Sequence, residues 1–146
     1  MTIKKSKGFT IIELLVVVAI IAVLAAIVLV NVTAYINQGK NAAIKGNLAT
    51  TLTNGAVFYD TNSDYDGFCA SSNFTGPSAA ITAAGGTAVC DDTPDTAWCA
   101  CSTLKTTTAE PVGSTFCVDS TGYKKVTVAT CADRCDTADL GVCTDS

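Results

Sequence analysis

Lys7-Gly8-Phe9-Thr10-Ile11-Ile12-Glu13-Leu14-Leu15 opens an apolar run that continues to Val30, and the reading of this stretch decides the fold. Lysines stand just ahead of it at positions 4, 5 and 7, and from Phe9 to Val30 the only polar side chains are Thr10 and Glu13. As an α-helix, residues 9–30 would extend about 33 Å at ~1.5 Å per residue, enough to cross a hydrocarbon core. Lipid offers a spanning backbone no partners but its own, so a helix is the expected form. The lysines predict that the N-terminal end stays in the cytoplasm and the remainder passes outward. Glu13 does not fit a plain anchor. A carboxylate inside the run is costly unless it finds a partner, or unless it lies close enough to the interface to reach headgroup water. Both readings stand on position alone. A cut after Gly8 would create an α-amino group on Phe9, and that cation could pair with Glu13 of a neighbouring copy. Such a pair would favour assembly and set the axial stagger between copies.

This stretch, with a short basic leader before it and an uninterrupted apolar helix after it, resembles the prepilin N-terminus shared by type IV pilins and the pseudopilins of type II secretion systems. The resemblance is specific from Lys4 to about Ile27 and looser to about Tyr59, where such proteins continue one long helix. It implies a bacterial single-pass precursor in the cytoplasmic membrane, N-terminus inside, that later enters an extracellular filament. It also implies a membrane-embedded prepilin peptidase that cuts between Gly8 and Phe9 and methylates the Phe9 amine. Glu13 would recognise the adjacent subunit's N-terminus. The implied partners are further copies of the chain in a helical filament and the membrane machinery that assembles it. A secretory signal peptide is the competing reading. Its small-residue cleavage site must follow the apolar core, where Ala22, Ala25 and Ala26 could imitate one, whereas Gly8 precedes the core.

The chain has 146 residues, room for one exposed domain beyond the helix. Its net charge of −4 becomes −7 without residues 1–8, which remove three lysines and no acid. That acidic balance argues against a general nucleic-acid surface. Lys124-Lys125, the basic pair of the outer part, reads as a solvated hairpin face rather than a DNA contact. With one Trp, four Tyr and five Phe, the exported core should be small. Eight cysteines answer that shortage: Cys69, Cys90, Cys99, Cys101, Cys117, Cys131, Cys135 and Cys143, all beyond the anchor. An even count confined to the exported part reads as disulfides. Zinc is the rival, but the spacings are irregular and the chain has no histidine. The pairing is open among 105 connectivities. Because an odd number of cysteines follows Cys117, full intrachain pairing requires at least one bridge from the tail to an earlier segment.

The fold class expected is α+β, a long helix packed on a small antiparallel sheet with a disulfide-stapled C-terminal region. The divisions are a leader at 1–8, a transmembrane and assembly helix at 9–30, its amphipathic continuation at 31–59 and an exported β domain at 60–146. Ile36, Ile44, Leu48, Leu52 and Tyr59, with Ala56 between them, form one apolar stripe for packing on the sheet. Gly39, Gly46 and Gly55 should soften this half of the helix. Asp60 to Gly67 ends it. There Asn62, Asp64 and Asp66 alternate ahead of Gly67, which resembles the first half of a calcium loop, although position twelve is Asn73. An Asx-rich turn capping the helix is the competing reading. No other cofactor is suggested. From Ala79 onward the pattern reads as β: Ala79–Thr82 and Thr87–Cys90 around a Gly85-Gly86 turn, then a half-buried strand over Trp98–Leu104. Ser114–Asp119 and Tyr123–Ala129 flank the clearest hairpin turn, and residues 131–146 read as an irregular stapled tail.

Catalysis is disfavoured, since the usual general base is missing and the acids crowd into turns. The leading expectation is a structural pilin subunit. A secretion pseudopilin is the alternative within the same architecture. A single-span, surface-displayed binding domain is the alternative from another class, and under it Glu13 is incidental and the leader stays attached.

Overall fold

The computed structural model describes residues 8–135 and 141–144. The elements are helix α1 (Ile11–Asn62), helix α2 (Ser72–Ala83), strands β1 (Ala88–Asp91), β2 (Cys99–Thr103), β3 (Ser114–Asp119) and β4 (Lys124–Val128), and a one-turn helix α3 (Cys131–Arg134). The chain divides into two compact units, residues 1–35 and 36–146. In the first unit the described part of α1 carries its apolar side chains on the outside. Leu14, Ile20, Leu24 and Leu29 are all more than half exposed. An 18-residue window of this helix reaches a mean hydropathy of 3.3, long and apolar enough to cross a membrane.

The second unit is built on an antiparallel meander, β1-β2-β3-β4. Register decides which residues share a face. Ala100 lies opposite Val118 and Ser102 opposite Phe116, while Cys101 lies opposite Cys117. Ala100, Phe116 and Val118 join Trp98 in a core with Ile44 and Leu48 of α1, Phe74 and Ile81 of α2, and Phe68 between the helices. Phe68 is the hub of the aromatic part, 4.7 Å from the Trp98 ring and 5.5 Å from Phe58. The centre of the expected stripe is used in this way, with Leu52 partly buried beside it. Its ends are not: Ile36 and Tyr59 stay about half exposed, and Tyr59 packs on Tyr65.

Alongside Ile44 runs a polar row, Asn37, Asn41 and Lys45, spaced at fours on the helix and aimed at the β2–β3 loop. Asn41 both donates to the Lys105 carbonyl and accepts from the Lys105 amide at 2.7 Å. Asn37 donates to the Thr106 carbonyl, and Lys45 forms an ion pair with Glu110. Thr107 also donates to the Glu110 carboxylate, and those two partners hold its pKa below the ordinary carboxylate value. The loop is thereby fastened to the helix by side chains.

Three expectations need correction. Ala79–Thr82 is helix, not strand. Ser71 provides the extended N-cap, the alanines favour helix, and Phe74 and Ile81, seven apart, fall on one buried face. Gly85-Gly86 is accordingly a helix stop rather than a hairpin turn. Gly86 donates to the Ile81 carbonyl and Gly85 to that of Thr82, with Gly85 at φ +86°, which is a Schellman cap. The second correction concerns β2, which is buried on both faces over its first four residues, as β3 is over all six. The reason is the tail. Cys99–Cys135, Cys101–Cys131 and Cys117–Cys143 draw it across the face away from the helices, while Cys69–Cys90 lies on the helix side. Third, the tail begins with helical order. Thr130 caps α3 by accepting from the Asp133 amide. Residues 141–144 are irregular as expected, and 136–140 and 145–146 lie outside the described residues.

Candidate functional site

The sequence concentrates its unusual chemistry at the start of α1. Thr10 precedes the first helical residue, and Glu13 sits three residues on. The Thr10 amide donates to Glu13 Oε2 at 2.9 Å and the Thr10 hydroxyl donates to the same oxygen at 2.8 Å. The Glu13 amide in return donates to Thr10 Oγ1 at 3.3 Å. This is a reciprocal capping box, which satisfies amides that the first turn of any helix leaves without partners. The carboxylate also lies at the positive end of the helix dipole, where negative charge is favoured. Thr10 therefore carries a role that the sequence reading passed over. Its signal, Thr-x-x-Glu before an apolar run, was present in the quoted stretch. Gly8 has open space around it and Phe9 is 80 % exposed. The rest of the basic leader, residues 1–7, lies outside the described residues.

The second place singled out by the sequence is the turn after α1. Asn62 directs its side-chain amide back to the Phe58 carbonyl, and Asp64 Oδ1 accepts from the Asp66 amide at 3.3 Å. Asn62 serves the end of the helix, and Asp64 serves an Asx turn. Ser63 takes φ +67° between them. Tyr65 donates to the Asp95 carbonyl at 2.7 Å, fixing the turn against the β1–β2 loop. Among the described residues, no three acidic, cysteine or histidine groups come together as a metal site.

Buried charged groups elsewhere are engaged structurally. Asp119, 1 % exposed, ends β3. Its Oδ1 accepts from the amides of Thr121 and Tyr123 and from the Thr121 hydroxyl, forming the turn into β4. Its Oδ2 accepts from the Cys143 amide at 2.9 Å and so pins the tail. Arg134 is fully buried. Its guanidinium donates to the carbonyls of Thr115, Lys125 and Thr144 and to the Tyr123 hydroxyl. Both residues thus join the tail to the sheet and its β3–β4 hairpin, Asp119 through the Cys143 amide and Arg134 through Thr115, Tyr123 and Lys125.

All eight cysteines are consumed in the four bridges, and no thiol is left free. What distinguishes the molecule chemically is thus the head of α1: an exposed aromatic after an open glycine, an acid one turn on, and an apolar helix behind.

Residues 3–29 match the prokaryotic N-terminal methylation motif, the signature of type IV pilins and pseudopilins. Neither the curated proteins nor the solved structures contain a match to the chain.

Proposed function

We propose that the chain is a structural subunit of a type IV pilus-like extracellular filament, cleaved after Gly8, methylated on Phe9 and assembled through its N-terminal helix. The observation that carries this reading is the motif at 3–29, of which residues 11–29 lie on a helix whose apolar side chains have no cover of their own. Residues 9–30 are the transmembrane and assembly segment, 31–59 its amphipathic continuation and 60–146 the exported domain. A prepilin peptidase and methyltransferase supplies the Phe9 amine, and Glu13 of the neighbouring copy neutralises it. The capping box gives Glu13 Oε2 a local partner until that amine arrives, which lowers the cost of the carboxylate in a lone subunit. Lateral burial of apolar helix surface then drives filament growth. The motif and the architecture are those of a structural protein.

Mass spectrometry of the protein from its native host tests the reading. N-methylated Phe9 as the first residue is the expected result, and an intact Met1 or a cut after Ala25 or Ala26 overturns it. Glu13→Ala is expected to leave membrane insertion intact and to reduce filament yield at least tenfold. Unchanged yield removes the charge-pairing role. Electron microscopy of purified filaments, with identification of the main component, separates a pilus from a secretion pseudopilus.

A further inference from the structure

Cys101 and Cys117 stand directly opposite each other on β2 and β3, yet neither is bonded to the other. The ladder pattern at this pair follows from its neighbours. Leu104 donates to the Ser114 carbonyl and Ser120 to the Trp98 carbonyl, each at 2.9 Å, and both pairs belong to the same register. Hydrogen-bonded pairs alternate, so Ala100/Val118 and Ser102/Phe116 are of that kind and Cys101/Cys117 is a non-hydrogen-bonded pair. At such pairs the Cα atoms are about 4.5 Å apart and side chains on a shared face come closest. Disulfides bridge Cα separations from about 4.4 Å upward. The β2–β3 hairpin alone therefore brings these two sulfurs within bonding reach. The final bridges instead join Cys101 to Cys131 and Cys117 to Cys143, across sequence separations of 30 and 26. Loop-closure entropy favours the shorter hairpin loop by roughly two- to threefold, before any gain from strand pairing.

We propose that the exported unit matures through a Cys101–Cys117 bridge and reaches its final pairing by thiol–disulfide exchange, which needs an external thiol once the tail cysteines have paired with each other. The inference rests on the export part of the reading above and not on cleavage or assembly. First, the Cys101 and Cys117 thiols pass two protons and two electrons to a disulfide oxidant, which becomes a dithiol. The Cys131 thiolate then attacks Cys101 Sγ. The Cys131–Cys101 bond forms, the Cys101–Cys117 bond breaks, and Cys117 departs as a thiolate with no net oxidation. A second equivalent of oxidant joins Cys117 to Cys143. If the oxidant joins Cys131 to Cys143 beforehand, and Cys69–Cys90 and Cys99–Cys135 are closed as well, the chain holds no nucleophile of its own. An external thiolate must then open that tail bridge, leaving a mixed disulfide on Cys143 and freeing Cys131. Cys131 displaces Cys117 from Cys101, and Cys117 displaces the external thiol, unchanged, from Cys143. The Asp119 contact to the Cys143 amide and the Arg134 contacts to the sheet select the final arrangement once the tail can move.

The test is oxidative refolding of the reduced full-length chain in detergent, with acid quenching, alkylation and disulfide mapping over time. In oxidised glutathione alone, Cys101–Cys117 should form early and persist in those molecules whose Cys131–Cys143 bridge has closed. With excess reduced glutathione it should give way to Cys101–Cys131 and Cys117–Cys143, raising their yield severalfold. A Cys131→Ser/Cys143→Ser variant should retain Cys101–Cys117 as its end state, with Cys69–Cys90 reporting that the helix side has folded. If Cys101–Cys117 never appears in the wild-type time course, the proposal is overturned whatever the variant does. The same holds if reduced glutathione fails to clear molecules that hold both Cys101–Cys117 and Cys131–Cys143, or if the variant keeps both thiols free beside a formed Cys69–Cys90. No readout involves Gly8 or Phe9, so failure here leaves the assembly reading to its own test.

Discussion

At the scale of single residues, two glycines of α1 that look alike in sequence differ in what surrounds them. A Cβ on Gly55 would stand 2.6 Å from Trp98 Nε1 and 2.8 Å from Cε2, against a buried and rigid indole. A Cβ on Gly46 would meet nothing within 4 Å. Helix propensity favours alanine at both positions by roughly 0.5–1 kcal/mol. We expect Gly46→Ala to stabilise by about that amount and Gly55→Ala to destabilise by about 1–3 kcal/mol, as overpacking outweighs propensity. Denaturant unfolding of the oxidised protein checks both signs. Glu110 offers a pH-dependent counterpart. Hydrogen bonds from Lys45 and Thr107 lower its pKa from the ordinary 4.5, so its stabilisation is present above that value and is lost as the pH falls through the lowered one. Glu110→Gln is expected to cost about 1–2 kcal/mol at pH 6, with the difference from wild type shrinking in thermal melts as the pH falls through the lowered pKa.

At the scale of elements, α2 contains a proline that its own fold compensates. Pro77 has no amide to donate to the Asn73 carbonyl one turn earlier. Asn54 of α1 supplies the missing donor at 2.7 Å. One polar contact thus repairs the helix and fastens it to its neighbour. Asn54→Ala should destabilise by about 1–2 kcal/mol, and by clearly less in a Pro77→Ala background, where the restored amide reaches Asn73. Equal costs in the two backgrounds would disprove the compensation. The Schellman cap also marks where the structure departs from the β expected at Ala79–Thr82. A short alanine-rich run has no distinctive period, and two consecutive glycines can mark a hairpin or a helix stop. The choice fell to Phe74 and Ile81, whose shared burial requires a helix.

At the scale of the molecule, the second unit covers one face of its sheet with helices and the other with a disulfide-bound tail. Each bridge contributes about 2–4 kcal/mol, against a net stability of roughly 5–15 kcal/mol for a domain of this kind. Reduction in detergent is therefore expected to abolish the near-ultraviolet dichroism of Trp98 while the apolar part of α1 keeps its helical signal. Retention of both signals would show that the bridges are dispensable. The long apolar helix, the disulfide chemistry of the cysteines, the β2, β3 and β4 segments and the motif at 3–29 were all determined by the sequence alone. Transfer energetics, redox compartment and two-residue alternation are local or additive, and they leave their mark on composition and spacing. Which cysteines meet, that β2 is buried on both faces, that Gly55 must remain bare and that Asn54 completes α2 were settled only by tertiary structure. Each depends on residues far apart in the chain arriving at one place, and no window of sequence contains that coincidence.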